Sequence, residues 1–189
     1  MRNPTKFFVL IFIFTLTAAG YSQSEIDMKA WTEYMTPGPV HEMLAESNGE
    51  WTEDISFWMD PTAPPMKASG TAVNKMILGG RYQMSNSTAE MMGMPFEGMN
   101  IVGYDNARKI FQSTWIDNFG TGTSYSEGTW DEDSKSIEFK GNSYDPMTGT
   151  NKNIKQIFKI IDSDHQSLEM YLVEDGKETK TMEIMFTRK

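Results

Sequence analysis

The sequence contains no cysteine among its 189 residues. Disulfide bonds, zinc–thiolate sites, thiol catalysis and a lipidated N-terminal cysteine are therefore excluded. Histidine is almost absent as well, since only His41 and His165 occur. Two histidines are too few for a histidine-rich metal centre, so we predict neither a bound metal nor a cofactor.

Positive charge is scarce relative to negative charge. The chain has 17 lysines and arginines against 26 aspartates and glutamates, which gives a formal net charge of −9. An acidic surface repels phosphate backbones and anionic lipid headgroups. We therefore expect no nucleic-acid partner and no membrane binding through a basic patch.

Long apolar runs are missing outside the N-terminus. Phe7–Leu16 is an apolar run that follows two basic residues and precedes small residues, which is the secretory signal pattern. A membrane span needs about 20 apolar residues, so an uncleaved anchor is the less favoured alternative. We predict a signal peptide over residues 1–23. The mature chain, 24–189, is then periplasmic or secreted, with no membrane insertion after cleavage.

A short helix is predicted over about residues 37–48. Pro39 suits a first helical turn because its missing N–H costs nothing there, and Val40, Met43 and Leu44 share one face. The helix is too short to persist alone, so it must pack on another element.

From Trp51 onward the pattern has period two, which indicates β-strands. Turn residues recur at intervals of roughly 8–12 residues and divide the region into about ten strands. Connections this short join antiparallel neighbours, since a parallel crossover needs a dozen or more residues. We predict an all-β fold, a closed or nearly closed antiparallel up-and-down barrel, because closure removes the exposed edges.

The interior of this barrel is predicted to be partly hollow. In the strand Lys109–Asp117, both faces mix polar and apolar side chains. A fully packed core would not need such a mixture, whereas a cavity that holds water or a ligand accepts it.

Several blocks of sequence occur in an order that resembles a known bacterial family, domain of unknown function 1579 (DUF1579). The blocks are "PGPVHEMLAESNGEW", "LGGRYQM", "GYDNARKIFQSTWID", "EGTWDEDSKSIEFKG", "DPMTG" and "MEIMFTRK". The resemblance covers about residues 30–189. It implies a calycin-like barrel, the group that includes lipocalins and fatty-acid-binding proteins.

The calycin resemblance also implies how the barrel closes. In that group a Gly-X-Trp begins the first strand, and an arginine or lysine of the last strand stacks over the tryptophan. Trp51 and Arg188 match these positions, and we expect a structural cation–π contact between them. The similarity to nitrobindin-like haem barrels is poorer, because the terminal strand here has no histidine.

Arg81 raises two alternatives. It follows Gly79 and Gly80, which permit a bulge or a left-handed turn at the start of a strand. Arg81 then either pairs with an acidic residue at the rim, or points inward and clamps the anionic head of a ligand.

The other candidate ligand-binding residues are chosen as aromatic or polar positions on predicted strands and on the short helix. Beside Arg81 they are Tyr82, Trp115, Tyr125, Trp130 and His41. A further cluster, Met91–Met99, contains four methionines, which suit a flexible hydrophobic portal.

Three functions remain open at this stage. The leading one is an exported barrel that binds a small hydrophobic or amphipathic, possibly anionic, molecule. The second is an enzyme, a hydrolase or isomerase that uses His41 with an acidic partner. The sequence contains no Gly-x-Ser-x-Gly motif, no His-Glu-x-x-His motif and no phosphate-binding loop to support it. We therefore propose no catalytic residue. The third is a non-catalytic interaction module of the envelope. The oligomeric state is left open.

Overall fold

The structure, a computed structural model, describes residues 19–189, with side chains described from residue 27 onward. The described chain separates into two units, of which the first ends at residue 33 and the second comprises residues 34–189. Helix α1 (Ala19–Met35) contributes the described part of the first unit. No described helix is long and apolar enough to cross a membrane. The predicted signal peptide falls on residues 1–18, outside the described residues, and on the start of α1, where no side chain is described; it stays a prediction.

The second unit holds one helix followed by ten strands. The helix is α2 (Pro39–Glu46), and the strands are β1 (Gly49–Phe57), β2 (Met66–Ile77), β3 (Tyr82–Met91), β4 (Met94–Asp105), β5 (Ile110–Asp117), β6 (Ser124–Asp131), β7 (Ser136–Asp145), β8 (Thr150–Ile160), β9 (His165–Glu174) and β10 (Lys177–Arg188).

The strands form one closed antiparallel barrel. Each strand pairs with the next along the chain, and β1 pairs with β10 to complete the cylinder. The register across that seam runs from Trp51 opposite Arg188 to Phe57 opposite Met182. The predicted up-and-down barrel of about ten strands with a short N-terminal helix is therefore confirmed.

The up-and-down order gives the barrel two different ends. The connections β2–β3, β4–β5, β6–β7 and β8–β9 gather at the end where α2 leads into β1, which we call the plugged end. The other five connections gather at the opposite end, which we call the mouth.

Helix α2 plugs its end of the barrel with apolar side chains. Leu44 is buried and packs with Phe111, Ile137 and Phe139 in one cluster, to which Val40 also contributes. An eight-residue helix has little stability of its own, so this burial holds it in place.

The plug is fastened by Trp51 and Arg188. The Trp51 ring is completely buried, and the Arg188 guanidinium lies 4.3 Å from its centroid, the stacking that the calycin resemblance implies. Gly49 has φ of +121°, and a Cβ there would lie 3.2 Å from Arg188 Nη1. Glycine is needed both for this backbone conformation and for the approach of the guanidinium.

Candidate functional site

The barrel encloses a cavity of about 460 Å³ between the plug and the mouth. This volume lies within the usual range for small-molecule sites, about 300–1,000 Å³. One wall is apolar and comes mainly from β8, β9 and β10. The facing wall is polar. The apolar wall includes Ile154, Phe158, Leu168, Met170, Met182 and Ile184, and the polar wall includes Ser85, Ser87, Asn100, Ser113, Ser124 and Ser126.

The polar wall follows from the strand pattern. On β5 the inward set is Phe111, Ser113, Trp115 and Asp117, so the mixed face predicted from the sequence does line the interior. Ser113 Oγ donates a hydrogen bond of 2.9 Å to Asn100 Oδ1 on the neighbouring strand. Such bonds satisfy polar groups that the barrel withdraws from water.

Glu53 is the most unusual lining residue. It is the next inward position along β1 after Trp51, and its side chain is only 3% exposed. Ser87 Oγ donates a 2.9 Å hydrogen bond to Glu53 Oε1, while Oε2 lies against Gly70, where a Cβ would come within 2.7 Å. Burial raises the pKa of Glu53, and the Ser87 hydrogen bond opposes that rise in part.

Three inward carboxamides join the cavity to the plug. Gln83 Nε2 donates to Leu44 O, Asn74 Nδ2 donates to Ser47 O at 3.1 Å, and Gln166 Nε2 donates to Ser47 Oγ at 2.7 Å. All three side chains line the cavity. We call this group, Asn74, Gln83 and Gln166, the carboxamide floor.

Aromatic rings stand at the mouth. The Phe96 and Trp115 rings stack with centroids 6.2 Å apart, and Phe119 meets Phe96 edge-on at 5.1 Å. Trp115 Nε1 donates a 2.6 Å hydrogen bond to Asp117 Oδ2, which fixes the indole. The ring lies across Gly98, where a Cβ would come within 2.4 Å of it. Trp115 is thus held as part of the wall.

Methionines surround the mouth on the outside. Met92 and Met94 in the β3–β4 turn are 52% and 48% exposed, Met59 is 76% exposed, and Met147 is 91% exposed. Met91 beside them is buried and lines the cavity. The predicted methionine cluster therefore lies at the open end of the barrel, where a flexible apolar rim suits the passage of an apolar molecule.

The structure places Arg81 outside the cavity, at the plugged end. Its guanidinium is exposed and donates to the carbonyl oxygens of Leu78 and Met35 at 3.1 and 2.6 Å. Gly79 and Gly80 have φ of +68° and +81°, so the predicted left-handed turn is present. The expectation of an inward anion clamp is corrected, because the turn projects Arg81 toward the segment before α2. Among residues 27–189, no ion pair joins Arg81 to an acidic residue, the other alternative.

Tyr82 and Tyr125 also lie outside. Tyr82 is 39% exposed, and its ring covers Gly103 on the outer face of β4. Tyr125 is 45% exposed, and its hydroxyl bonds to Gln112 and Glu127 on the outer surface. The expectation that they line the cavity is corrected: their inward neighbours are Gln83, Ser124 and Ser126, and tyrosine tolerates an outer face because its hydroxyl can bond there.

Trp130 faces inward but not into the cavity. It packs against the cluster under α2, and its Nε1 donates a 2.6 Å hydrogen bond to Glu132 Oε2. Of the predicted ligand-binding residues, the structure brings only Trp115 to the lining.

His41 belongs to the plug. It is 6% exposed, its Nδ1 accepts a 3.1 Å hydrogen bond from Gly38 N, and its ring meets Tyr104 edge-on. Burial lowers the pKa of His41, and backbone hydrogen bonds with Tyr104 and Gly38 act in the opposite direction. Within the described chain, His41 forms its hydrogen bonds with backbone groups, so it lacks there the acidic partner that the enzyme alternative requires.

Two charged residues line the cavity, Glu53 and Asp117. No lysine, arginine or histidine is among the described lining residues. Asp117 is engaged in its loop, since Oδ1 accepts from Phe119 N at 2.9 Å and Gly120 N at 3.1 Å. Across residues 27–189, no group of three acidic or histidine side chains is arranged to hold a metal.

A second depression of similar volume lies on the outer surface of β7, β8 and β9. It is lined by side chains that point away from the barrel interior, among them Ser136, Lys159 and Glu169. It has no enclosing apolar wall, so the interior cavity is the better candidate site.

Glu53 and the carboxamide floor were not singled out from the sequence. Glu53 shares its parity with Trp51, Ile55 and Phe57, so an acidic residue on an otherwise apolar face was a readable signal. The three carboxamides carry no comparable local signal, because their role depends on where α2 docks.

The comparisons with known proteins agree with this architecture. No protein of known function with curated annotation matches the chain. A solved structure, "Crystal Structure of Rv2717c from M. tuberculosis", superposes with a TM-score of 0.60 at 16% identity and covers 82% of this chain and 99% of its own. At this identity the likeness concerns the fold alone. The model of a family described as "Protein of unknown function (DUF1579)" matches residues 36–188, so the chain belongs to the DUF1579 family.

Proposed function

We propose that the protein is an exported barrel that binds a small amphipathic molecule in its interior. The observation that supports this most strongly is the cavity of about 460 Å³ with one apolar and one polar wall. Two unlike walls suit a molecule with an apolar body and a polar group. Export rests on the N-terminal signal pattern.

The arrangement of the ends supports uptake through the mouth. The plugged end is closed by α2 and by the Trp51–Arg188 contact, whereas the mouth carries exposed methionines around the aromatic residues Phe96, Trp115 and Phe119. An apolar molecule that approaches the mouth therefore meets apolar surface first.

The two other functions receive less support. The enzyme hypothesis needs a base beside a carboxylate in the cavity, and His41 lies in the plug with backbone partners. A filled interior with a large exposed apolar patch would have favoured the interaction-module hypothesis, and the cavity gives it no such support.

The test is to fill the cavity from within. Ser126 is buried on the polar wall, and a phenylalanine there would occupy space that a ligand needs. We expect Ser126→Phe to abolish binding of decanol and of the neutral dye Nile red, measured by calorimetry and by dye fluorescence. Wild-type protein should gain about 2.7 kcal/mol of stability at a free decanol concentration 100-fold above Kd.

The matched control is Thr129→Phe, which places the same ring on the exposed outer face of the same strand. It should bind as the wild type does. Absence of binding in the wild type, or equal binding by both variants, would contradict an interior site.

A further inference from the structure

The carboxamide floor holds the C-terminal end of α2, and this follows from what the helix requires. The last carbonyl groups of a helix have no partner within the helix and must find donors elsewhere. Leu44 O receives Gln83 Nε2, and Ser47 O, just beyond the helix, receives Asn74 Nδ2. A carbonyl oxygen only accepts hydrogen bonds, so the amide nitrogens of Gln83 and Asn74 must face the plug. Their amide oxygens take no part in these two hydrogen bonds.

One of these oxygens has no partner. Asn74 Oδ1 is buried and without a hydrogen bond among the residues that the structure describes. An unpaired buried acceptor of this kind costs about 1–3 kcal/mol.

Glu53 adds a carboxyl group to the cavity lining, midway along β1. It is the next inward residue along β1 after Trp51. Trp51 Nε1 donates a hydrogen bond of 2.9 Å to Ser47 O, the same oxygen that accepts from Asn74 Nδ2. Ser87 supplies one hydrogen bond, and no basic side chain lines the cavity among the described residues. The carboxyl is therefore desolvated without a counter-charge, a state that a cation would relieve.

The backbone contributes in the same direction. The C-terminal end of α2 points at this floor, and the C-terminus of a helix carries a partial negative charge. The cavity lining thus combines a buried carboxyl with carboxamides at the C-terminal end of α2 and, among the described lining residues, no basic side chain, which favours a donor or a cation.

From this arrangement we propose that the cavity selects amphiphiles whose head group donates hydrogen bonds, a protonated amine above all, and disfavours anionic head groups. The proposal rests on the interior binding proposed above. The head group lies against Glu53. The apolar body lies along the wall formed by β8–β10 toward the mouth.

The experiment compares three ligands with one ten-carbon chain: decylamine, decanol and decanoate. Titration calorimetry at pH 7.5 should show decylamine binding at least roughly tenfold more tightly than decanoate, with decanol between them. Decanoate binding as tightly as decanol or more so would overturn the inference while leaving interior binding in place. Failure of all three to bind the wild type would overturn the proposed function itself.

Two variants then locate the selectivity. Glu53→Gln keeps the shape and removes the charge, so the advantage of decylamine over decanol should disappear while decanol still binds. Glu90→Gln removes the same charge from the exposed outer face of β3 and should leave the advantage unchanged. An equal loss in both variants would assign the preference to the acidic surface and overturn the inference; the ligand series on the wild type stands without either variant.

Discussion

At the scale of single residues, Glu53 is a buried carboxyl group that lines the cavity beside no basic residue among the described lining residues. A carboxyl group at 3% exposure with one hydroxyl donor is held where its neutral form is favoured, and burial accordingly raises its pKa. A binding role for the cavity would give this buried carboxyl a function.

The raised pKa gives Glu53 a definite effect on stability. The folded state binds a proton more readily than the unfolded state, so the stability owed to Glu53 is complete below the unfolded pKa, about 4.5, and is lost as pH rises through the folded pKa. We expect Glu53→Gln to be more stable than the wild type at pH 8. Each ~1 kcal/mol gained in the free energy of unfolding should raise Tm by about 2–4 °C.

The pH dependence of this stability difference tests whether the charge of Glu53 is its source. The difference in the free energy of unfolding between Glu53→Gln and the wild type should shrink as pH falls toward 4.5, measured by urea unfolding at several pH values. A difference that stays constant over that range would mean that the charge of Glu53 is not its source.

At the scale of elements, α2 is attached to the barrel by polar contacts around an apolar plug. Arg188 is central to these contacts, since Nη1 donates to Asn48 O and Nη2 to Glu46 O, both at 2.7 Å, while the guanidinium stacks on Trp51. One side chain therefore joins the last strand, the first strand and the helix.

Replacement of Arg188 should loosen the plug. Arg188→Met keeps the apolar stem but removes the stacking and the carbonyl contacts, and we expect a loss of about 2–4 kcal/mol in the free energy of unfolding by urea denaturation. Arg81→Met is the matched control, because Arg81 also donates to carbonyl oxygens but is exposed and covers no ring. It should cost less than about 1 kcal/mol and leave decanoate binding unchanged. Equal losses in both variants would contradict the role given to Arg188.

The strands and the helix could largely be predicted from the sequence. Which side chains of each strand point into the barrel could not. Period-two patterns and short turns predict ten antiparallel strands, because alternation and loop length directly constrain pairing. The pattern does not say which face is inside when both are mixed. Tyr82 and Tyr125 lie outside because serines and carboxamides take the interior, the reverse of the usual preference. Asn74 acts with Ser47 only after distant segments meet, which no local pattern encodes.

At the scale of the whole molecule, the closed sheet has no free edge, yet its ladders differ in length. The β5–β6 ladder pairs residues 111–115 with residues 124–128, whereas the β7–β8 ladder pairs residues 136–145 with residues 150–159. The shorter ladder also ends at the mouth, beside Trp115 and the loop at Asp117.

This difference predicts where the barrel opens first. Amide hydrogen exchange should be faster in β5 and β6 than in β7 and β8, because local opening there breaks fewer ladder bonds. Saturation with a bound amphiphile should slow exchange most in β5 and β6. Uniform protection of all ten strands in the free protein would contradict the expectation.

The serine wall stands apart from the contacts that fasten α2, and this has a practical consequence. Those contacts involve Arg188, Trp51, the carboxamide floor and the backbone, while the serines of the polar wall contribute little to that attachment. Exchange of those serines for apolar or charged residues would therefore change which ligands the cavity binds without detaching α2 from the barrel. The barrel offers a scaffold for engineered receptors in which affinity and fold stability can be adjusted by different sets of residues.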